Sequence, residues 1–348
     1  MIIESIGVVW GKKYIDNFFK YTLPYFITNK NIYYINQKKL ILNVIFKKSE
    51  KNIVDTYPKK KFLNVIYYPD FIFNKNKYEV HSAIIKKFIK KINSSSYIFL
   101  MYPDQIISDE FFKNLLSDNN YSLYFKPGLK IKLNNENRKF IKRNLIRGIT
   151  SKKLTKFIIN NLHIKMKLMT INDSYFNNAP AWIIYKTDKT LITKSFHLTP
   201  LLIKNQLIKN SNFNVKKGID DYISSNFLTK KIKFFDNSKK ISWASYEVEN
   251  INNYINFKYS KNFFYSIKWI KSCTTDYQKY LFRKYTYLLS NNYESINYFI
   301  KFKFFLSLFL NIINLINLSY YLLTLRVKFV NLFRNIYNLF FCNTLVKR

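Results

Sequence analysis

Glycine and proline are scarce in this 348-residue chain, at 5 and 7 positions, and acids are scarce too, with 20 Asp+Glu against 58 Lys+Arg. The phosphate-binding and nucleophile loops built on glycine are absent: there is no G-x-x-x-x-G-K-[ST], no G-x-G-x-x-G and no G-x-S-x-G. Two cysteines, Cys273 and Cys342, supply neither a disulfide framework nor a paired metal motif. Neither has a histidine close in sequence, which argues against thiol catalysis and against a zinc site. So small a cysteine count fits a reducing cytosol. The opening MIIESIGVVWG carries an acid, Glu4, and no basic leader, so a secretory signal is not expected.

Hydrophobic residues, by contrast, make up 48% and aromatics 19% of the chain, enough to bury a substantial core and too many for a disordered protein. The formal net charge of +38 suggests nucleic acid or an anionic membrane surface as a partner. Two features weaken that inference. Lysine pairs are spread along the whole chain, at 12, 38, 47, 86, 90, 152 and 239, rather than gathered in one arm. Lys, Asn, Ile, Phe and Tyr are also overused together, which is the residue set an A/T-rich genome favours. A dedicated nucleic-acid role is therefore not expected, while general attraction to phosphate-rich partners is.

Hydrophobic periodicity organises the first two thirds of the chain. IESIGVVWG (3–11) has the pattern of a buried strand, and YIDNFFKYTLPYFI places Tyr14, Phe18, Tyr21 and Tyr25 at helical spacing, with Pro24 positioned to kink or stop the helix. NIYYIN, LILNVIF and KFLNVIYY are expected strands. KYEVHSAIIKKFIKKI (77–92) is an amphipathic helix facing inward through Val80, Ile84, Phe88 and Ile85 or Ile89, and SYIFLMY (96–102) is an apolar strand. Beyond it, Ser108 is expected to cap a helix with Asp109 and Glu110 in its first turn. Then come a strand broken by Pro-Gly at 121–133, helix at 138–170 and a β-hairpin at 181–198. This alternation predicts an α/β fold with a mixed, mainly parallel sheet flanked by helices. From about residue 260 the pattern turns to long aromatic helical segments without further strands. We therefore expect an α/β domain over 1–255 and a basic, aromatic-rich helical extension over 256–348.

In an open α/β sheet, ligands bind at the carboxyl ends of the strands. Trp10 and Gly11 follow the first strand, and Asp104 follows SYIFLMY, so both lie at such ends. Taken alone, an Asp there is most often a turn or capping residue. IGVVWGKKYIDNFFKYTLPYF resembles the first strand, loop and helix of a GT-A-type glycosyltransferase, and VHSAIIKKFIKKINSSSYIFLMYPDQIISDEFFKNL resembles the helix, strand and Asp-x-Asp segment of that fold. SFHLTPLLI (195–203), GIDDYI (218–223) and DNSKKISWASYEVE (236–249) resemble further hallmarks of bacterial proteins of this kind that open with a strand ending in Trp-Gly. The resemblance covers roughly residues 3–250.

It implies a GT-A-like, Rossmann-like domain that moves a sugar from a nucleotide-sugar donor to a cell-surface polysaccharide or a glycolipid, that is, to a saccharide or lipid-linked acceptor. Trp10, Gly11, Asp104 and Gln105 would bind the donor. A divalent cation, Mn or Mg, would be held by Asp104 and His197. One of Asp220 and Asp221 would take the acceptor hydroxyl's proton, with Glu247 and Asp236 ranked behind them. Positions 102–104 read Tyr-Pro-Asp, so the first aspartate of Asp-x-Asp is missing, and nearby lysines are the alternative means of neutralising phosphate charge. His81 and His163 are read as surface or packing residues. The competing reading is a basic RNA- or anionic-membrane-binding protein with a decayed core.

The uncharged stretch 304–325 has membrane-spanning length, but Ser307, Asn311, Asn314 and Asn317 share one helix face. That polar stripe suits a core helix or peripheral contact with a membrane through 301–341 better than a span. The corresponding location is cytoplasmic, including the inner face of the cytoplasmic membrane.

Overall fold

The computed structural model describes residues 1–117, 122–126, 128–145, 147–170, 182–186, 190–195, 199–209, 232–234, 243–248 and 287–290. Strand β1 (Ile3–Val9) lies between β2 (Leu40–Lys47) and β4 (Tyr97–Met101), parallel to both. β3 (Asn64–Tyr68) extends the sheet beyond β2, again in parallel. On the other side comes β10 (Thr199–Lys204), antiparallel to both its neighbours, followed by β6 (Leu123–Lys126) and β11 (Ile232–Phe234). The resulting seven-stranded sheet, in the order β11-β6-β10-β4-β1-β2-β3, is mixed and mainly parallel, in agreement with the expected α/β class.

Alternation along the central strands separates two cores. Ile3 and Val9 of β1, Leu42, Val44 and Phe46 of β2, and Phe99 and Met101 of β4 face one layer. Ile6, Val8, Ile45, Ile98 and Leu100 face the other. Apolar side chains on both faces of each strand are the mark of a parallel sheet covered on two sides. Helix α5 (Lys77–Ile89) covers the second face through Val80, Ile84, Ile85, Phe88 and Ile89.

The first face is covered by the run from Lys12 to Phe26. It consists of α1 (Lys12–Asn17), a π turn (Phe18–Thr22) and α2 (Leu23–Phe26), so Pro24 does not stop it. The widened turn sits just ahead of the proline, where an α turn would press the ring against the carbonyl four residues back.

Three local expectations are corrected. NIYYIN is helical, within α3 (Asn29–Asn36), rather than a strand. Its end is a Schellman motif, with Lys39 N–H donating to the Tyr34 carbonyl and Lys38 N–H to the Ile35 carbonyl, both at 2.9 Å. Lys38 takes the left-handed conformation there, at φ 55°, in the place usually held by glycine. Ser108 is not a helix cap either: α4 (Lys51–Asp55) is followed by α5, and α6 (Phe111–Leu116) begins only after Glu110, itself left-handed at φ 63°. Asp109 and Glu110 instead anchor the start of α3, Asp109 accepting from the Thr28 hydroxyl at 2.8 Å and Glu110 from Lys30 at 2.9 Å. Third, the region beyond 260 does contain a strand, β13 (Tyr287–Ser290), which pairs with β9 (Thr190–Ser195).

β9 and β8 (Trp182–Lys186) are antiparallel, as expected for the 181–198 hairpin. Residues 138–170 hold most of α7 (Asn135–Arg143), then α8 (Ser151–Asn160) and α9 (Ile164–Lys167); α10 (Asn205–Ile208) follows β10. A small second sheet joins β5 (Gln105–Ile107), β12 (Trp243–Glu247) and β7 (Lys130–Lys132), with β12 antiparallel to β5 and parallel to β7. Among the described residues no helix is long and apolar enough to cross a membrane. The stretches 304–325 and 301–341 lie outside the described residues.

Two glycines, Gly7 within β1 and Gly11 just beyond its end, respond differently to substitution. A Cβ on Gly7 would come within 2.9 Å of the Met101 methyl, a side-chain tip that can move aside. Gly11 sits at φ 84° and ψ 127°, a conformation that L side chains rarely adopt. Thermal unfolding should show Gly11→Ala losing about 1–3 kcal/mol and Gly7→Ala clearly less; equal losses would contradict this account of the strand end.

Candidate active site

Strand order determines where a ligand can sit. From β1 the chain proceeds outward to β2 and β3, then returns to place β4 on β1's other side. A crevice therefore opens beyond the carboxyl ends of β1 and β4, at a topological switch point. A cleft of about 710 Å³ lies there, walled by Trp10 from the end of β1 and by Tyr102, Pro103 and Asp104 from the end of β4.

The turn carrying Asp104 is fixed from three directions. Tyr102 N–H donates to Gln105 Oε1 at 3.1 Å, and Gln105 Nε2 reaches the Leu100 carbonyl at 3.5 Å. Gln105 is thus fully buried beneath the turn and serves as its brace, not as the ligand contact expected from the sequence. Tyr246 N–H, from β12, donates to the Asp104 carbonyl at 2.8 Å. The Tyr246 hydroxyl lies 3.1 Å from the Pro103 carbonyl, which also accepts from the Thr22 hydroxyl at 2.7 Å.

Gly11 is likewise structural. Its N–H donates to Glu50 Oε1 at 2.6 Å, so that amide is already engaged. Trp10 faces the cleft with its ring tilted against Phe73 at 5.6 Å.

β12 also delivers Glu247, which accepts from Lys165 at 2.6 Å and from Lys130 at 2.9 Å. Burial pushes the Glu247 carboxyl upward, but the hydrogen bonds from Lys165 and Lys130 outweigh it and hold the group at about 2. Burial acts more strongly on Asp104, whose carboxyl rises to about 6 despite the nearby Lys130 charge. Two carboxylates of one cleft are therefore set apart, one firmly ionised and one poised near neutrality.

His81, expected to be a surface or packing residue, lines this cleft from α5. Its ring stacks on Tyr102 with centroids 5.3 Å apart and planes 9° apart. Burial pushes the imidazole down to about 4, and its buried Nε2 has no hydrogen-bond partner. Tyr102, at the position where the family resemblance would put a first aspartate, is thereby packed as an aromatic wall.

Of the residues expected at the site, Trp10, Asp104 and the second-ranked Glu247 line the cleft together. His197, Asp220, Asp221 and Asp236 lie outside the described residues. Among the described residues no group of three or more His, Cys, Asp or Glu side chains could hold a metal ion. Asp104 and Glu247, the latter already paired with two lysines, do not by themselves fit a divalent cation. Lys130, Lys165, Tyr246 and His81 were not identified from the sequence. Glu247 had a usable signal, an acid in an apolar strand of an acid-poor chain, whereas Lys130 is one among 58 basic residues.

No protein-family model matches the chain, and no curated protein matches its sequence. Partial structural likenesses exist. TarS of S. aureus is similar at 12% identity and a TM-score of 0.36, over 71% of this chain and 37% of that one, so the chain spans little more than a third of TarS. The inositol-1-phosphate CTP transferase of T. maritima gives 9% and 0.34, over 79% and 98%. The galactosyltransferase LgtC, solved with donor and acceptor sugar analogs, gives 8% and 0.32, over 70% and 86%. Scores of this size assign no residue a role.

The neutral state of His81 has a consequence for stability. Unfolded, the ring takes up a proton near its ordinary value of 6.5; folded, it does so only near 4. The unfolded state binds more protons between those values, so stability from this source is complete above about pH 6.5 and lost as the pH falls toward 4. His81→Gln should remove up to about 3 kcal/mol of that acid-side loss. Melting temperatures of both proteins across pH 4–7 check it, and parallel curves would contradict it.

Proposed function

We propose that this protein is a sugar transferase, moving a glycosyl group from a nucleotide-sugar donor to a saccharide or lipid-linked acceptor. The observation that carries the reading is the placement of Asp104. A buried parallel strand delivers it to the switch-point crevice, where Trp10 supplies an aromatic wall and four lysines line the surface. Such a crevice suits an anionic ligand with a flat ring at one end.

Chemistry in this cleft needs a group that takes the acceptor hydroxyl's proton as the glycosidic bond forms. Glu247, held near 2 by two lysines, is too weak a base. Asp104, raised to about 6, is the better base of the two. In this reading Asp104 accepts the proton, while Glu247 keeps Lys130 and Lys165 in position. Asp220 and Asp221, expected for the same task from the sequence, are the alternative.

The basic binder with a decayed core has less support. Lys130 and Lys165 are tied to Glu247, and Lys30, Lys47 and Lys60 are also ion-paired. We place the transferase in the cytoplasm, with 1–255 carrying the chemistry and 256–348 appended, where it would meet the inner face of the membrane through 301–341.

The full chain incubated with a panel of nucleotide sugars should hydrolyse or transfer from at least one of them. With Asp104 as base, kcat/KM should rise about tenfold per pH unit below about 6 and level off above it. Asp104→Asn should lower kcat by about 10²–10⁴-fold. If Asp104→Asn leaves rate and profile intact while Asp221→Asn or Asp220→Asn abolishes turnover, Asp104 is not the base. If no nucleotide sugar binds or reacts, the transferase reading fails.

A further inference from the structure

The described side chains of the cleft do not fit the metal-bound diphosphate that the resemblance suggests. Where an Asp-x-Asp segment would offer its first carboxylate, Tyr102 lies flat against His81, at 5.3 Å between centroids. Glu247, the other acid lining the cleft among the described residues, already receives Lys130 at 2.9 Å and Lys165 at 2.6 Å. A divalent cation brought between Asp104 and Glu247 would lie beside these ammonium groups and be repelled by them.

The charges already present suit the ligand. Among the described residues, Lys13, Lys77, Lys130 and Lys165 line the cleft against Asp104 and Glu247, so four positive groups oppose two negative ones there and leave a surplus of two. The diphosphate bridge of a nucleotide sugar carries one negative charge on each of its two phosphates. Glu247 fixes Lys130 in place through one of the three N–H donors of an ammonium group, and charge-assisted hydrogen bonds to phosphate are the task such a group performs well.

We propose that the cleft binds the diphosphate of a nucleoside diphosphate without a metal ion, with Lys130, positioned by Glu247, as its principal charge partner. Lys13 and Lys77 complete the neutralisation from the rim, at the starts of α1 and α5. This rests on the reading of the protein as a nucleotide-sugar transferase and adds the identity of the groups that neutralise the phosphates. A diphosphate leaving the sugar would then be received by a fixed set of ammonium groups, among them Lys130, whose charge also acts on the Asp104 carboxyl.

Titration calorimetry on the full chain tests this, using uridine, cytidine, guanosine, adenosine and thymidine diphosphates as probes. Each is measured once in EDTA and once in Mn²⁺. The tightest probe should bind with Kd values within about threefold in the two buffers. Lys130→Met should weaken it by about 10- to 100-fold, Lys130→Arg should recover most of the loss, and circular dichroism should report an unchanged fold. Glu247→Gln should weaken binding as well, through loss of Lys130's anchor. Binding seen only with Mn²⁺ would overturn the inference and leave the transferase reading standing. Unchanged affinity in both Lys130→Met and Glu247→Gln would overturn the assignment to Lys130. Absence of binding to every probe in both buffers would remove the inference and the transferase reading together.

Discussion

The register between β1 and β4 is the constraint from which the rest of the molecule follows. Ile3 pairs with Tyr97 and Gly7 with Met101, so the two strands finish side by side and release their next residues into the same space. Trp10 and Asp104 are neighbours of one cleft for that reason, although more than 90 positions separate them in the chain. At that pairing the Met101 methyl lies over Gly7, 2.9 Å from where a Cβ would stand. A slip of one residue would turn every apolar side chain of β1 from one core to the other, which both covered faces forbid.

Onto this frame β12 adds a second constraint. Its backbone clasps the Asp104 turn through Tyr246, and the next residue, Glu247, gathers two lysines that come from β7 and α9. One strand therefore sets both the position of a carboxyl that burial raises and the position of the charges around it. The difference between Asp104 and Glu247 follows from burial, which dominates at Asp104, and from the two lysine hydrogen bonds that outweigh it at Glu247. Glu247 has two ammonium groups within hydrogen-bonding distance, while Asp104 has Lys130 as a neighbouring charge.

Much of the sheet was legible in the sequence because its strands are apolar on both faces and its helix α5 has a clean stripe. The misreadings are local and have physical causes. NIYYIN has β-prone residues, yet it turns back through a left-handed Lys38 where a glycine would have flagged a helix end. DE at 109–110 looked like a first helical turn, but Glu110 is left-handed and both acids reach across to α3. In the site, Asp104 was found because a strand end is a readable position. Lys130 and Lys165 were not, since lysine occurs throughout the chain and only the tertiary contact with Glu247 distinguishes them. His81 was hidden by its helix, where inward and cleft-facing residues follow the same spacing.

The most direct test of the central claim, that the β1–β4 crevice is the ligand site, is a crystal structure of the full chain with its tightest-binding nucleoside diphosphate. The diphosphate should lie within about 2.7–3.2 Å of Lys130 Nζ, between Trp10 and the Tyr102–Asp104 turn. A nucleotide bound on another face of the sheet, with the crevice unchanged, would contradict it.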